Sequence, residues 1–153
     1  MNIFIKQYIM DTALRSRNAT IEWSYPYLLE NAFTKDICYE GYGVYCISRV
    51  FNSKETILYI GKTNCNFFSR LNKHYFKWVD NYRGIKKVRF GTIISPLAHT
   101  DELIHDLEGG LIFDLQPLHN ICRKISYTYY SIYKINNIGY RGGIPRIINM
   151  KEH

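Results

Sequence analysis

The sequence has no apolar run near the ~20 residues that a membrane-spanning helix needs. Its opening, Met1-Asn2-Ile3-Phe4-Ile5-Lys6, lacks the basic start, long apolar stretch and small-residue cleavage site of a secretory signal. The four cysteines, Cys38, Cys46, Cys65 and Cys122, make no C-x-x-C pair, so neither a disulfide framework nor a zinc site is expected. No internal repeat, low-complexity tract, zinc-finger spacing or helix-turn-helix pattern is present. These absences lead to the expectation of a soluble protein in a reducing cytoplasm, with no membrane partner.

Charge of one sign is also scarce in places. Residues 62–89 hold eight basic side chains against Asp80 alone, whereas residues 90–120 hold five acids and no Lys or Arg. Residues 1–61 balance at six of each sign, and residues 121–153 set six basic side chains against Glu152. The formal net charge of +7 is therefore unevenly laid out. A basic block suits a polyanion, because Lys and Arg neutralise phosphates and release counterions. A solvated basic face without a partner is the plainer alternative. On the first reading Lys62, Arg70, Lys73, Lys77, Lys86 and Lys87 are the candidate phosphate contacts.

What is present is enough for one domain with a core: 153 residues, 46% hydrophobic and 22% charged. Aromatic side chains are plentiful, with 14 Tyr and 8 Phe. Two apolar segments, Gly43-Val44-Tyr45-Cys46-Ile47 and Leu58-Tyr59-Ile60-Gly61-Lys62, flank a polar loop at Phe51-Asn52-Ser53-Lys54-Glu55 and read as a β-hairpin. Paired strands can bring Tyr45 and Tyr59 onto one face, since strand side chains alternate with period two.

A helix follows. Asn64-Cys65-Asn66 offers its N-cap, and Phe67, Phe68, Leu71 and Tyr75 form its apolar stripe, with Trp78 and Tyr82 as a possible extension. Arg70 and His74, four apart, share a helical face. Lys87–Ile94 alternates as a third strand ended by Pro96. Thr100 is the expected N-cap of a second helix whose stripe is Leu103, Ile104, Leu107, Leu111, Ile112 and Leu115. Glu108 falls on that stripe. A core-facing carboxylate is costly unless it is paired or binds a metal, so either a salt bridge to an arginine or a metal-holding role is expected there. Gly109-Gly110 suggest close packing beside it. Asn120 lies in the turn after the helix. Pro26–Phe33 reads as a short helix, and Ile3 to Ile9 as a strand or helix. The tail reads as β-structure: a Tyr-rich strand to Tyr133, a turn at Asn136-Asn137-Ile138-Gly139 and a return strand over Ile144–Ile148.

The ordered set Gly43-Val44-Tyr45, Tyr59-Ile60-Gly61, Lys62, Arg70, His74, Glu108 and Asn120 resembles the signature of the GIY-YIG nuclease family. It spans about half the chain, and departs in Val44 for isoleucine and in a longer hairpin loop. The resemblance implies an α+β fold: a small central antiparallel β-sheet flanked by helices over residues 41–153, with residues 1–40 as an extension packed on the core. It implies a metal-dependent DNA endonuclease with Tyr45, Tyr59, Lys62, Arg70, His74, Glu108 and Asn120 as its catalytic set. Glu108 would hold one Mg²⁺ or Mn²⁺, and Arg70 would brace the phosphate. Tyr59 would act as base, its pKa lowered by Lys62, Arg70 and the ion, while Tyr45 orients the water or phosphate. His74 would position the nucleophile and Asn120 would hold its neighbours. The implied partner is double-stranded DNA, with a homodimer needed to cut both strands at once. The rivals are a non-cleaving nucleic-acid-binding protein or an RNase on the same fold.

Overall fold

The structure, a computed structural model, describes residues 17–74 and 78–152, with Lys73 and His74 described in backbone only. Residues Ile3 to Ile9, for which a strand or helix is expected, lie outside the described residues, as do Tyr75 and Lys77.

The hairpin forms between β3 (Gly43–Phe51) and β4 (Lys54–Thr63). Its connection is two residues, shorter than the five-residue loop expected. Asn52 and Ser53 adopt φ of 51° and 62°, the doubly left-handed turn whose twist matches a hairpin. The register sets Tyr45 opposite Gly61 and Ile47 opposite Tyr59, then slips at Leu58, which is left without a partner on β3.

Among the described residues, the strands make one mixed sheet in the order β4-β3-β5-β1-β6-β7. Strand β5 (Ile85–Ser95) pairs antiparallel with β3 on one side and with β1 (Arg17–Trp23) and the short β2 (Tyr27–Leu28) on the other. Strand β1 also runs parallel to β6 (Tyr133–Gly139), and β7 (Ile147–Asn149) closes that side antiparallel. The architecture is mixed α and β, as expected, but two finer expectations are corrected. The sheet is not wholly antiparallel, and residues 17–23 are an interior strand of it.

Several local expectations also change. The turn expected at Asn136-Asn137-Ile138-Gly139 is strand. Asn137 is buried and satisfied there, taking the Trp23 indole N–H at 2.9 Å and donating to Pro145 O at 2.9 Å, so tertiary pairing overrides a turn-forming composition. The tyrosine run before it is not strand up to Tyr133. The Asp106 carboxylate takes the N–H groups of Tyr130 and Ser131, both at 2.9 Å, in place of a neighbouring strand. The expected helix over Pro26–Phe33 is β2 followed by a 3-10 segment, Leu29–Thr34, and a short α1 (Asp36–Glu40). Helix α2 (Phe67–His74) is not continued to Tyr82, because Val79–Asn81 is a 3-10 turn and Tyr82 is extended.

Two cores form, one on each face of the sheet. Helix α3 (Asp101–Leu115) lays Leu103, Leu107 and Leu111 against Ile21, Val44, Cys46, Ile60 and Ile135. Thr100 caps it, its hydroxyl accepting from Leu103 N at 3.1 Å. On the other face α1, α2 and the 3-10 segment cover Tyr45, Ile47, Val88 and Phe90 through Cys38, Phe67, Leu71 and Ala32. No helix among the described residues is long and apolar enough to cross a membrane.

The tail returns across α3 at Gly109, where an added Cβ would lie 2.6 Å from the Tyr127 ring. Gly109→Ala is therefore expected to lower stability by about 1–2 kcal/mol in urea denaturation, because overpacking outweighs the gain in helix propensity of about 1 kcal/mol. An increase in stability would show that Tyr127 is free to move aside.

Candidate active site

Tyr45 projects from β3 and is 1% exposed. Its ring lies across β4 at its cross-strand partner Gly61, where an added Cβ would sit 2.4 Å from the phenol oxygen. Only glycine leaves room for that ring. Tyr59 stands diagonally across the hairpin and half-buried, with ring centroids 6.1 Å apart. A hydrogen bond joins the two hydroxyls; it raises Tyr45 and works against the rise of Tyr59.

The net shift of both phenols is upward. Burial is the largest cause for each; the Glu108 carboxylate adds to it and the Arg70 guanidinium opposes it. Of the cations expected to lower Tyr59, Arg70 does so, and burial outweighs it.

Helix α2 delivers Arg70. Asn66 caps it by accepting from Ser69 N at 2.9 Å, and Phe67 fixes it against Tyr45 and Phe90, with centroids 6.3 and 4.7 Å away. Arg70 is left exposed, with its charge acting on both phenols and on Glu108. Lys62 follows Gly61 on β4 and also acts on Glu108. A cleft lined by Lys62, Thr63, Asn64, Arg70, Asp101 and Ile104 opens here.

Glu108 is 9% exposed on α3. Burial raises its pKa, opposed in decreasing order by Arg123, Lys62 and Arg70. Arg123 forms an ion pair with it at 3.1 Å. So a salt bridge is present, and the carboxylate also lies within electrostatic reach of both phenols. Among the described residues no group of three or more His, Cys, Asp or Glu side chains could enclose a metal ion. The donor set is a single carboxylate.

Asn120 works on backbone. Its amide takes Ile60 N at 2.9 Å and donates to Ile60 O at 3.0 Å, while His119 N and Leu118 N bond Leu58 O and Ile57 O at 2.7 and 3.3 Å. The segment after α3 thereby closes the outer edge of β4 and holds Tyr59 and Gly61 in register. The side chains of His74 and Lys73 lie outside the described residues. Lys86 and Lys87 part company: Lys86 pairs with Arg49 on the Tyr45 face, whereas Lys87 projects to the opposite face, where it acts on Glu55.

Two residues at the site escaped sequence reasoning. Arg123 is one. His119 is the other: it stacks on Trp78 at 3.9 Å and 10°, meets the Tyr82 hydroxyl through Nδ1 at 3.1 Å and lies 6.4 Å from the Tyr59 ring. Burial lowers its pKa. Its position beside Asn120 was the available signal.

Comparison of the chain with protein-family models, with curated proteins and with solved structures found no match.

Asn120→Ala strips the β4 edge of both partners at Ile60. It is expected to cost about 2–4 kcal/mol, since each buried group left unsatisfied costs about 1–3 kcal/mol. Amide hydrogen exchange at Ile60 should accelerate to match. Unchanged protection at Ile60 would mean that water replaces Asn120 without loss.

Proposed function

We propose that the cleft between β4, α2 and α3 hydrolyses phosphodiester bonds in DNA with the aid of one divalent cation at Glu108, as the resemblance to GIY-YIG nucleases implies. One observation carries this reading: the buried Glu108 carboxylate, the Tyr45–Tyr59 pair, Lys62 and Arg70 come from four different elements and act on one another electrostatically. A buried acid, two phenols and two cations beside an open cleft suit an anionic substrate.

A single carboxylate fits Mg²⁺ or Mn²⁺ in one respect, because Mg²⁺ takes oxygen ligands, keeps several waters and is often completed by substrate phosphate. When bound, the ion supplies Lewis-acid polarisation of the phosphate and eases ionisation of water. Arg70 braces the non-bridging oxygens through its fixed fork of donors, and Lys62 adds a point charge from β4. Tyr59, the less buried of the two phenols, would take the proton of the attacking water in this reading. A hydrogen bond from the buried Tyr45 would stabilise the charged form of the Tyr59 oxygen, giving the two phenols different tasks in this reading. Asn120 keeps Tyr59 at its post through the Ile60 backbone.

Each chain carries one such set, so a monomer cuts one strand at a time, and concerted double-strand cleavage requires a homodimer. The Arg123–Glu108 pair favours one rival, a nucleic-acid-binding protein in which Glu108 only fastens the tail.

Incubation with supercoiled plasmid and with RNA, in Mg²⁺ or EDTA, separates these readings. Expected are Mg²⁺-dependent nicking of DNA, a loss of at least about 100-fold in Glu108→Gln, and about 100- to 1,000-fold in Arg70→Ala with DNA binding retained. DNA binding without cleavage by the wild type, or cleavage indifferent to Glu108→Gln, would sink the proposal. Preferential digestion of RNA would transfer it to an RNase.

A further inference from the structure

The cation already seated on Glu108 needs an explanation. Arg123 has φ of 67°, in the left-handed region that non-glycine residues seldom occupy. Three contacts hold its guanidinium. Nη1 lies 3.1 Å from Glu108 Oε2 and donates to His105 O at 3.0 Å, and Nη2 meets His105 Nδ1 at 2.8 Å. His105 Nε2 lies 3.0 Å from the Thr128 carbonyl, which can only accept. The His105 proton therefore sits on Nε2, leaving Nδ1 to accept from Arg123. The loop carrying Arg123 is itself pinned, with Lys124 Nζ on Pro117 O at 2.8 Å and Gln116 Nε2 on Lys124 O at 2.8 Å. Arg123 is held over the carboxylate from several sides.

Three cations, Arg123, Lys62 and Arg70, act on the one carboxylate. Asp101 lines the adjoining cleft, yet a divalent cation at Glu108 would face repulsion from all three of these cations. A phosphate eases that repulsion by bringing negative charge to Lys62 and Arg70, which line the adjoining cleft.

We propose that Arg123 is a resident counter-cation that occupies the Glu108 carboxylate until a phosphate arrives, so that the divalent ion and the nucleic acid load together. The inference rests on Glu108 being the metal ligand, as proposed above. It makes Arg123 a positioning residue that couples metal affinity to substrate, and it makes the free chain a weak metal binder.

The test is Mn²⁺ titration of the free chain, read by calorimetry and by the electron paramagnetic resonance of unbound ion, with melting curves to establish folding. Arg123→Asn removes the charge with a residue that tolerates the left-handed backbone, Arg123→Lys keeps the charge, and Arg123→Gln replaces Arg123→Asn should that variant not fold. Without DNA, the neutral variant is expected to bind Mn²⁺ about tenfold more tightly than wild type, within the roughly 5- to 150-fold range of typical coupling. Arg123→Lys should bind as wild type does. A phosphorothioate oligonucleotide should tighten Mn²⁺ binding of wild type more than that of the neutral variant. Equal or weaker Mn²⁺ binding by a folded neutral variant, or no binding by either protein, would overturn the proposal and leave Arg123 as a fastening for the tail. Glu108→Gln tells this failure from that of the nuclease reading: Mn²⁺ binding as tight as in wild type would show that the ion does not use Glu108.

Discussion

Burial of the Glu108 charge is the constraint around which this molecule is arranged. A carboxylate 9% exposed in a helix packed on a sheet cannot stay ionised without compensation. Arg123, Lys62 and Arg70 supply that compensation from three other segments, and burial still leaves the pKa raised. The tail depends on the same helix. Asp106, 1% exposed and one residue before Leu107, takes two backbone N–H groups of the tail, and Gly109 makes room for Tyr127. Helix α3 thus fastens the segment that follows it through Asp106 and Gly109, and through the Glu108–Arg123 ion pair.

The hairpin meets that charge from the opposite side. Gly61 is what allows Tyr45 to lie across β4, and Phe67 seals the ring from behind. Burial drives both phenols away from ionisation, and a hydrogen bond joins their hydroxyls.

The helices and the hairpin were legible in the sequence wherever a local rule was strong. Thr100 and Asn66 cap as their residue types suggest, and the alternation around Val88 and Phe90 marks β5. Misreadings fell where a distant partner decides. Asn136 and Asn137 are turn formers by composition, yet they pair with Thr20 and Ile21 in a parallel ladder. Tyr130 looked like strand, yet its N–H is served by Asp106. The periodicity of α3 singled out Glu108 but not Asp106, because burial of Asp106 comes from the tail folding over it.

By itself the sequence determined which residue types could do chemistry and on which local element each stands, since capping, alternation and helical spacing are short-range effects. It also left an acid on an apolar stripe, which demanded a partner without naming one. Only the tertiary structure decided that partner, Arg123, placed β1 inside the sheet, and turned Asn120 from a loop residue into the clasp on Ile60. These outcomes turn on long-range contacts, where desolvated charges and unpaired strand edges take whichever complementary group the packing brings near.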